Sequence, residues 1–216
     1  MAAKSRKKSD LYKEKGWYPI HAPEEYNRVK IGETLTNDPA KLDGRMVVTT
    51  LAELTGDWQK QNVKMAFKVD EVSESGAYTR FVGHELTRDY MRSLVKRRTS
   101  KIGGNVVVET KDGMRMRIKP VIYTVKRAQT SKQKGMRAIM EGIVMKQARE
   151  VNYLDLVAEI VGGKLSSDIY KDVRLVYPVR RVEVEKSQVL GKVERRRQGT
   201  QRKVATEKTE APTGGA

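Results

Sequence analysis

Residues 114–119 read MRMRIK, and this stretch restricts the fold of the chain more than any other. Met114, Met116 and Ile118 alternate with Arg115, Arg117 and Lys119. A period of two places successive side chains on opposite faces of a strand. The segment therefore predicts a β-strand with one face on a core and three cations on the other. Asp112-Gly113 immediately before it is a tight-turn signal, and the β-branched run of residues 106–108 before that predicts the partner strand of a hairpin. Pro120 predicts an edge position or a bulge in the second strand.

The same period recurs upstream. In VKMAFKV (63–69), Val63, Met65, Phe67 and Val69 oppose Lys64, Ala66 and Lys68. MVVTTL (46–51) is rich in β-branched residues, and a turn at Ser75-Gly76 leads to another strand reaching about Val82, so an antiparallel meander is expected. Other segments read as helices. TRDYMRSLVKRR predicts one with Thr87 as cap, Asp89 in its first turn and Tyr90, Met91, Leu94 and Val95 on one face, ending before Gly103-Gly104. A second covers 131–149 on the stripe Met136, Ile139, Met140, Ile143, Val144. A third lies between an Asn152 cap and a Gly162 stop, and a short one is expected at 166–170. VRLVYPVRRVEVEK (173–186) reads as a final strand. In GWYPIHAPEEY (16–26), Pro19 and Pro23 exclude a regular helix, and an irregular aromatic segment pinned to the core or to a partner is expected. The fold class is α+β: a mostly antiparallel sheet or barrel-like core flanked by helices, with basic N- and C-terminal tails.

Charge narrows the function. The 216 residues carry a net charge of +17. Residues 1–15 and 187–216 each hold +4 and are poor in apolar residues, so both are expected to be basic tails around a single core domain at 16–186. That core keeps the remaining +9. Residues 91–108 and 113–137 contain no acid. Solvated faces usually intersperse both signs, so acid-free stretches point to a polyanion. The candidate contacts are Arg92, Lys96, Arg97, Arg98 and Lys101 after the first helix, Arg115, Arg117 and Lys119 on the strand, Lys132, Lys134 and Arg137 on the second helix, and Lys4, Arg6, Lys7 and Lys8 at the N-terminus. Arg and Lys bind phosphate through charge-assisted hydrogen bonds.

Other chemistries are poorly served. There is no cysteine, hence no disulfide, thiolate site or Cys nucleophile, and the two histidines, His21 and His84, make no His-rich metal site. His84 and Glu85 are strand neighbours that point to opposite faces, which leaves His84 a packing or hydrogen-bonding residue. No apolar run reaches the roughly 20 residues of a membrane span, and MAAKSRKKSD lacks the apolar region of a signal peptide, so a cytosolic protein is expected. Gly103-Gly104 is not followed by the Gly-Lys-Ser/Thr of a phosphate loop. Neither paired RNA-recognition aromatics nor a GXXG loop is present, so RNA shape rather than sequence is the expected target. Met65, Met91, Met136 and Met140 fall on core stripes.

GWYPIHAPEEYNRVKIGET, DGRMVVTTLAELTGD, FVGHELTRDYMRSLVKRR, ETKDGMRMRIKP and IYKDVRLVYPVRRVEVEKSQVL, in that order, resemble the eS-one (S-three-A-e) family of ribosomal small-subunit proteins of archaea and eukaryotes. The WYPIHAP form resembles the archaeal type. The resemblance runs from about Gly16 to Leu190 and is most specific at Gly83, Leu86 to Asp89, Met91 and Lys96 to Arg98. It also covers the Thr110/Asp112/Gly113 hairpin. It implies a non-enzymatic, cofactor-free constituent of the cytoplasmic 30S subunit on the platform near the mRNA exit. Its partners would be small-subunit rRNA, neighbouring platform proteins and mRNA near the exit, with no membrane and no small-molecule substrate. From the residues alone, an RNA-processing enzyme with a carboxylate site invisible in sequence and a DNA-coating architectural protein stay open.

Overall fold

The computed structural model describes residues 15–73 and 76–192. The expected contacts Lys4, Arg6, Lys7 and Lys8 lie outside the described residues.

The elements follow in the order β1 (Gly16–His21), β2 (Lys30–Thr36), β3 (Met46–Thr50), α1 (Leu51–Thr55), β4 (Val63–Ser73), β5 (Gly76–Leu86), α2 (Arg88–Leu94), β6 (Lys101–Gly103), β7 (Val106–Glu109), β8 (Met114–Thr124), α3 (Thr130–Glu150), α4 (Tyr153–Val161), α5 (Lys164–Arg174) and β9 (Val179–Lys192). All nine strands among the described residues join one mixed sheet, α+β in class. Its backbone is β3-β4-β5-β9-β8, antiparallel throughout. β8 pairs on its far side with β7 over its first half and with β6 over its second. The β1–β2 hairpin joins β5 through two parallel pairs, Ile20 with Ala77 and His21 with Tyr78.

The alternation in β4 and β8 sets the core. Met65, Phe67, Met116, Ile118 and Ile122 are fully buried on one face of the sheet and meet Met136, Met140 and Val144 of α3, Leu156 of α4, and Leu165, Ile169 and Val173 of α5. Burying each of these side chains contributes about 1.5–3 kcal/mol relative to leaving it exposed. We call this the inner face. The opposite pleat of β8 carries Arg115, Arg117 and Lys119 and continues as Val121 and Tyr123. There α2 covers it, packing Met91 and Leu94 with Leu86, Val121 and Tyr123.

Several expectations need correction. GWYPIH is a strand, not an irregular segment. Pro19 is accommodated because β1 meets β5 only at Ile20 and His21. Pro120 marks a bulge, since the register against β9 shifts between Lys119 and Pro120 and β8 is flanked on both sides. The helix from Arg88 is shorter than expected. Val95 is already extended, so Lys96, Arg97 and Arg98 sit in a loop beyond the helix, and Gly103 ends β6 rather than the helix. Thr87 stands at the cap position without a side-chain capping bond. Val173 and Arg174 belong to α5, because Val173 continues the buried i, i+4 series Leu165–Ile169–Val173. β9 begins at Val179 and runs to Lys192, taking up six residues that the sequence reading grouped with the tail, because the eleven-residue β8 is paired along its whole length.

Candidate nucleic-acid interface

Strand register turns the basic face of β8 into part of a wider surface. Directly opposed residues in antiparallel pairs share a face. One row crosses the sheet as Val48–Ala66–Gly83–Gln188–Arg117–Val107, and the next as Thr50–Lys64–Glu85–Lys186–Lys119. Arg115 lies one step beyond Arg117, and Lys68 and Arg80 form a further pair on β4 and β5. The middle of the first row holds the small residues Ala66 and Gly83. At Gly83 a Cβ would stand 2.3 Å from the backbone oxygen of Ser187, so no side chain fits where β5 and β9 approach. The result is a low floor between flanking cations.

Opposite charge on this surface is sparse. Glu85 accepts from Lys186 at 3.0 Å, and Asp70 faces Arg80 at 3.4 Å. Glu109 stands opposite Arg115 in the register, without a side-chain ion pair between them. Among the described residues, Arg115, Arg117, Lys119, Lys64 and Lys68 form no ion pair. The Nε of Arg117 is buried without a hydrogen-bond partner. Such cations keep their bonding capacity for an outside anion.

α2 carries the second basic element to the end of this face. Tyr90 donates to Glu183 Oε1 at 2.9 Å, Arg181 Nε donates to the same oxygen at 2.6 Å, and the Arg181 guanidinium lies 5.9 Å from the Tyr90 ring centre. Burial and the Glu183 carboxylate push the Tyr90 hydroxyl up to about 12, so it remains a donor. This clamp and the Met91/Leu94 cluster fix the helix. From it the exposed loop Lys96–Arg98 emerges, braced by Thr99 donating to the Lys96 carbonyl at 2.7 Å. Arg98 has φ +61°, left-handed backbone that a non-glycine residue adopts at a cost of about 1–2 kcal/mol. Strain of that kind often marks functional positions.

The predicted contacts thus separate into groups. Arg92, Lys96, Arg97 and Arg98 are exposed and form no ion pair among the described residues. Arg115, Arg117 and Lys119 share the outer sheet face with α2. Lys101 lies on that side too, but is paired with Glu185 at 3.3 Å. Lys132 and Lys134 are exposed on α3, which packs on the inner face, so the sheet separates them from the Arg115 row. Arg137 reaches the β6 edge and donates to the Gly103 carbonyl at 3.3 Å. The sequence reading missed Lys64, Lys68 and Lys186 as members of the surface. The alternation in VKMAFKV had placed the first two away from the core, but only strand register reveals that this face is continuous with Arg117. It also missed Lys126 and Arg127, which lie inside the acid-free stretch.

His84 is buried beneath the floor. Its Nε2 lies 3.2 Å from the Val184 carbonyl, which can only accept, so Nε2 carries the proton. Nδ1 then accepts from the Ser187 hydroxyl at 2.6 Å, and Ser187 Oγ accepts from the His84 backbone N–H at 3.3 Å. Burial lowers the imidazole to about 4 against the support of the Val184 carbonyl. The side chain is a neutral cross-strand tie. Among the described residues no group of three or more His, Asp or Glu could hold a metal ion, and no helix is long and apolar enough to cross a membrane.

Comparison with known proteins agrees with the sequence signature. The family model described as the Ribosomal S3Ae family matches residues 3–193. The small ribosomal subunit protein eS1 of Methanothrix thermoacetophila is 49% identical over 190 residues, covering 88% of this chain and 90% of that protein. The proteins of the same name from Methanothermobacter thermautotrophicus and Archaeoglobus fulgidus are each 44% identical. They cover 87% and 88% of this chain, and 96% and 92% of their own lengths. A match over nearly the whole described fold, with the basic face and the α2 loop inside it, makes this chain a member of the Ribosomal S3Ae family.

Proposed function

We propose that the protein is a non-enzymatic structural constituent of the small ribosomal subunit, working in the cytoplasm bound to rRNA and adjacent ribosomal proteins. Its outer sheet face and the Lys96–Arg98 loop hold the rRNA backbone. The observation that carries this reading is the set of cations Arg115, Arg117, Lys119, Lys64 and Lys68, none in an ion pair among the described residues, on one sheet face around the Ala66–Gly83 floor. An RNA duplex is recognised mostly by shape and backbone, and a flat surface with cationic margins suits that mode. Membership in a family whose named relatives are small-subunit proteins supports the assignment. Within the subunit, its place is the platform near the mRNA exit, beside other platform proteins and close to mRNA.

Sucrose-gradient sedimentation of the full chain with small subunits tests the assignment. The protein travels with the particle at moderate salt, and binding to purified small-subunit rRNA weakens on a log–log salt plot by about 0.7–0.9 per phosphate neutralised. Protein left free at the top of the gradient overturns it. A photo-crosslinker placed at Arg97 tests the location, with crosslinks expected to platform rRNA near the mRNA exit.

A further inference from the structure

A second basic feature lies at the far end of β8, past the half of its outer face that α2 covers. Arg98 and Thr99 from the loop before β6, and Val125, Lys126 and Arg127 from the loop after β8, line one open groove of about 780 Å³. No acid lines it. Lys126 and Arg127 are exposed and form no ion pair or side-chain hydrogen bond among the described residues. The two loops are tied together. Thr124 Oγ1 accepts from the Ser100 N–H at 2.8 Å and donates to the Lys126 carbonyl at 2.6 Å. Ser100 Oγ accepts from the Ala128 N–H at 3.1 Å, and Tyr177 donates to the Arg127 carbonyl at 3.0 Å.

Three cations that repel one another are therefore held around one opening by a neutral hydrogen-bond frame, and one of them keeps a left-handed backbone. The 21-residue α3 starts three residues after Arg127, with no side chain capping its first amides and no acid in its first turn. Lys119 and Thr124, the last residue of β8, are five residues apart, about 16 Å at the rise of a strand, and the α2-covered patch lies between Lys119 and the loop that carries Lys126.

We propose that this groove is a separate seat for a ribose–phosphate backbone, distinct from the outer sheet face, so that the protein grips two RNA segments on either side of α2. The proposal rests on the rRNA-binding reading and adds to it a second contact, carried by Lys126 and Arg127, with Arg98 at the junction of the two.

The test compares the full-length protein with K126Q/R127Q and with R98G, using small-subunit rRNA as the probe. K126Q/R127Q lowers the salt slope by about 1.4–1.8, at 0.7–0.9 per charge, and removes one contiguous block of hydroxyl-radical protection while the other blocks remain. R98G relieves the left-handed backbone, so it unfolds at an equal or higher temperature yet loses about 0.7–0.9 of slope. An unchanged slope and footprint for folded K126Q/R127Q overturns the second seat alone. Absence of salt-dependent rRNA binding by the unaltered protein overturns both the groove and the reading beneath it.

Discussion

The imidazole of His84 and the hydroxyl of Ser187, 103 residues apart in the chain, meet at 2.6 Å between β5 and β9 and close a hydrogen-bonded circuit under the cationic floor. Because the folded imidazole titrates near 4 rather than near 6.5, the unfolded chain binds the extra proton throughout that interval. Stability therefore rises with pH from about 4 to about 6.5 and is level above, and the full difference from this one group is about 3 kcal/mol. Urea unfolding at pH 4.5 and pH 7.5 measures it, and His84→Gln flattens the dependence. Ser187→Ala leaves a buried ring nitrogen without its donor and costs about 1–3 kcal/mol at pH 7.

Gly83 is the tightest point of the floor. Gly83→Ala pushes a methyl group against the Ser187 carbonyl, and a backbone obstacle cannot rotate away. We expect a loss of about 1–3 kcal/mol, seen as a lower midpoint of denaturation. Gly135 and Gly142 on α3, where an added Cβ meets nothing, gain helix propensity when replaced by alanine and are stabilised by about 1 kcal/mol.

Leu94 holds α2 on Val121 and Tyr123 rather than on the main core. Leu94→Ala costs about 2–5 kcal/mol. The effect on RNA exceeds what its uncharged chemistry suggests, because the basic loop loses its mounting. Amide hydrogen exchange of residues 88–98 rises first, while that of α3 and β8 does not.

Replacing Arg115, Arg117 and Lys119 together by glutamine leaves the fold intact and lowers the salt slope for rRNA by about 2–3. Lys101→Gln has a smaller effect on the slope, since its ammonium already faces Glu185.

Local pattern revealed those parts of the molecule whose partners are dictated by a single period. The MRMRIK and VKMAFKV alternations, the Asp112-Gly113 turn and the Met136–Val144 stripe all appear as the sequence suggests, because each buries one face whatever lies opposite. What depended on pairing at long range was hidden. β1 and β2 have no strong period, and only their mutual register, from Gly16 with Thr36 to His21 with Lys30, makes them a hairpin. The last strand hid its final six residues because SQVLGK has no clear period and its buried polar residue, Ser187, is satisfied only by His84 on another strand. The candidate surface was legible as charge but not as shape. Nothing in the residues near Lys64 indicates that Gly83 and Gln188 connect them to Arg117.

The Ser100–Thr124 ties have a thermodynamic consequence. Loops that are braced when the chain folds surrender their freedom then, so a ligand docking on them meets little further loss of conformational entropy. Association at the Arg98–Arg127 opening should accordingly resemble a rigid-body encounter, quick and steered by long-range attraction, with added salt slowing arrival more than it hastens departure.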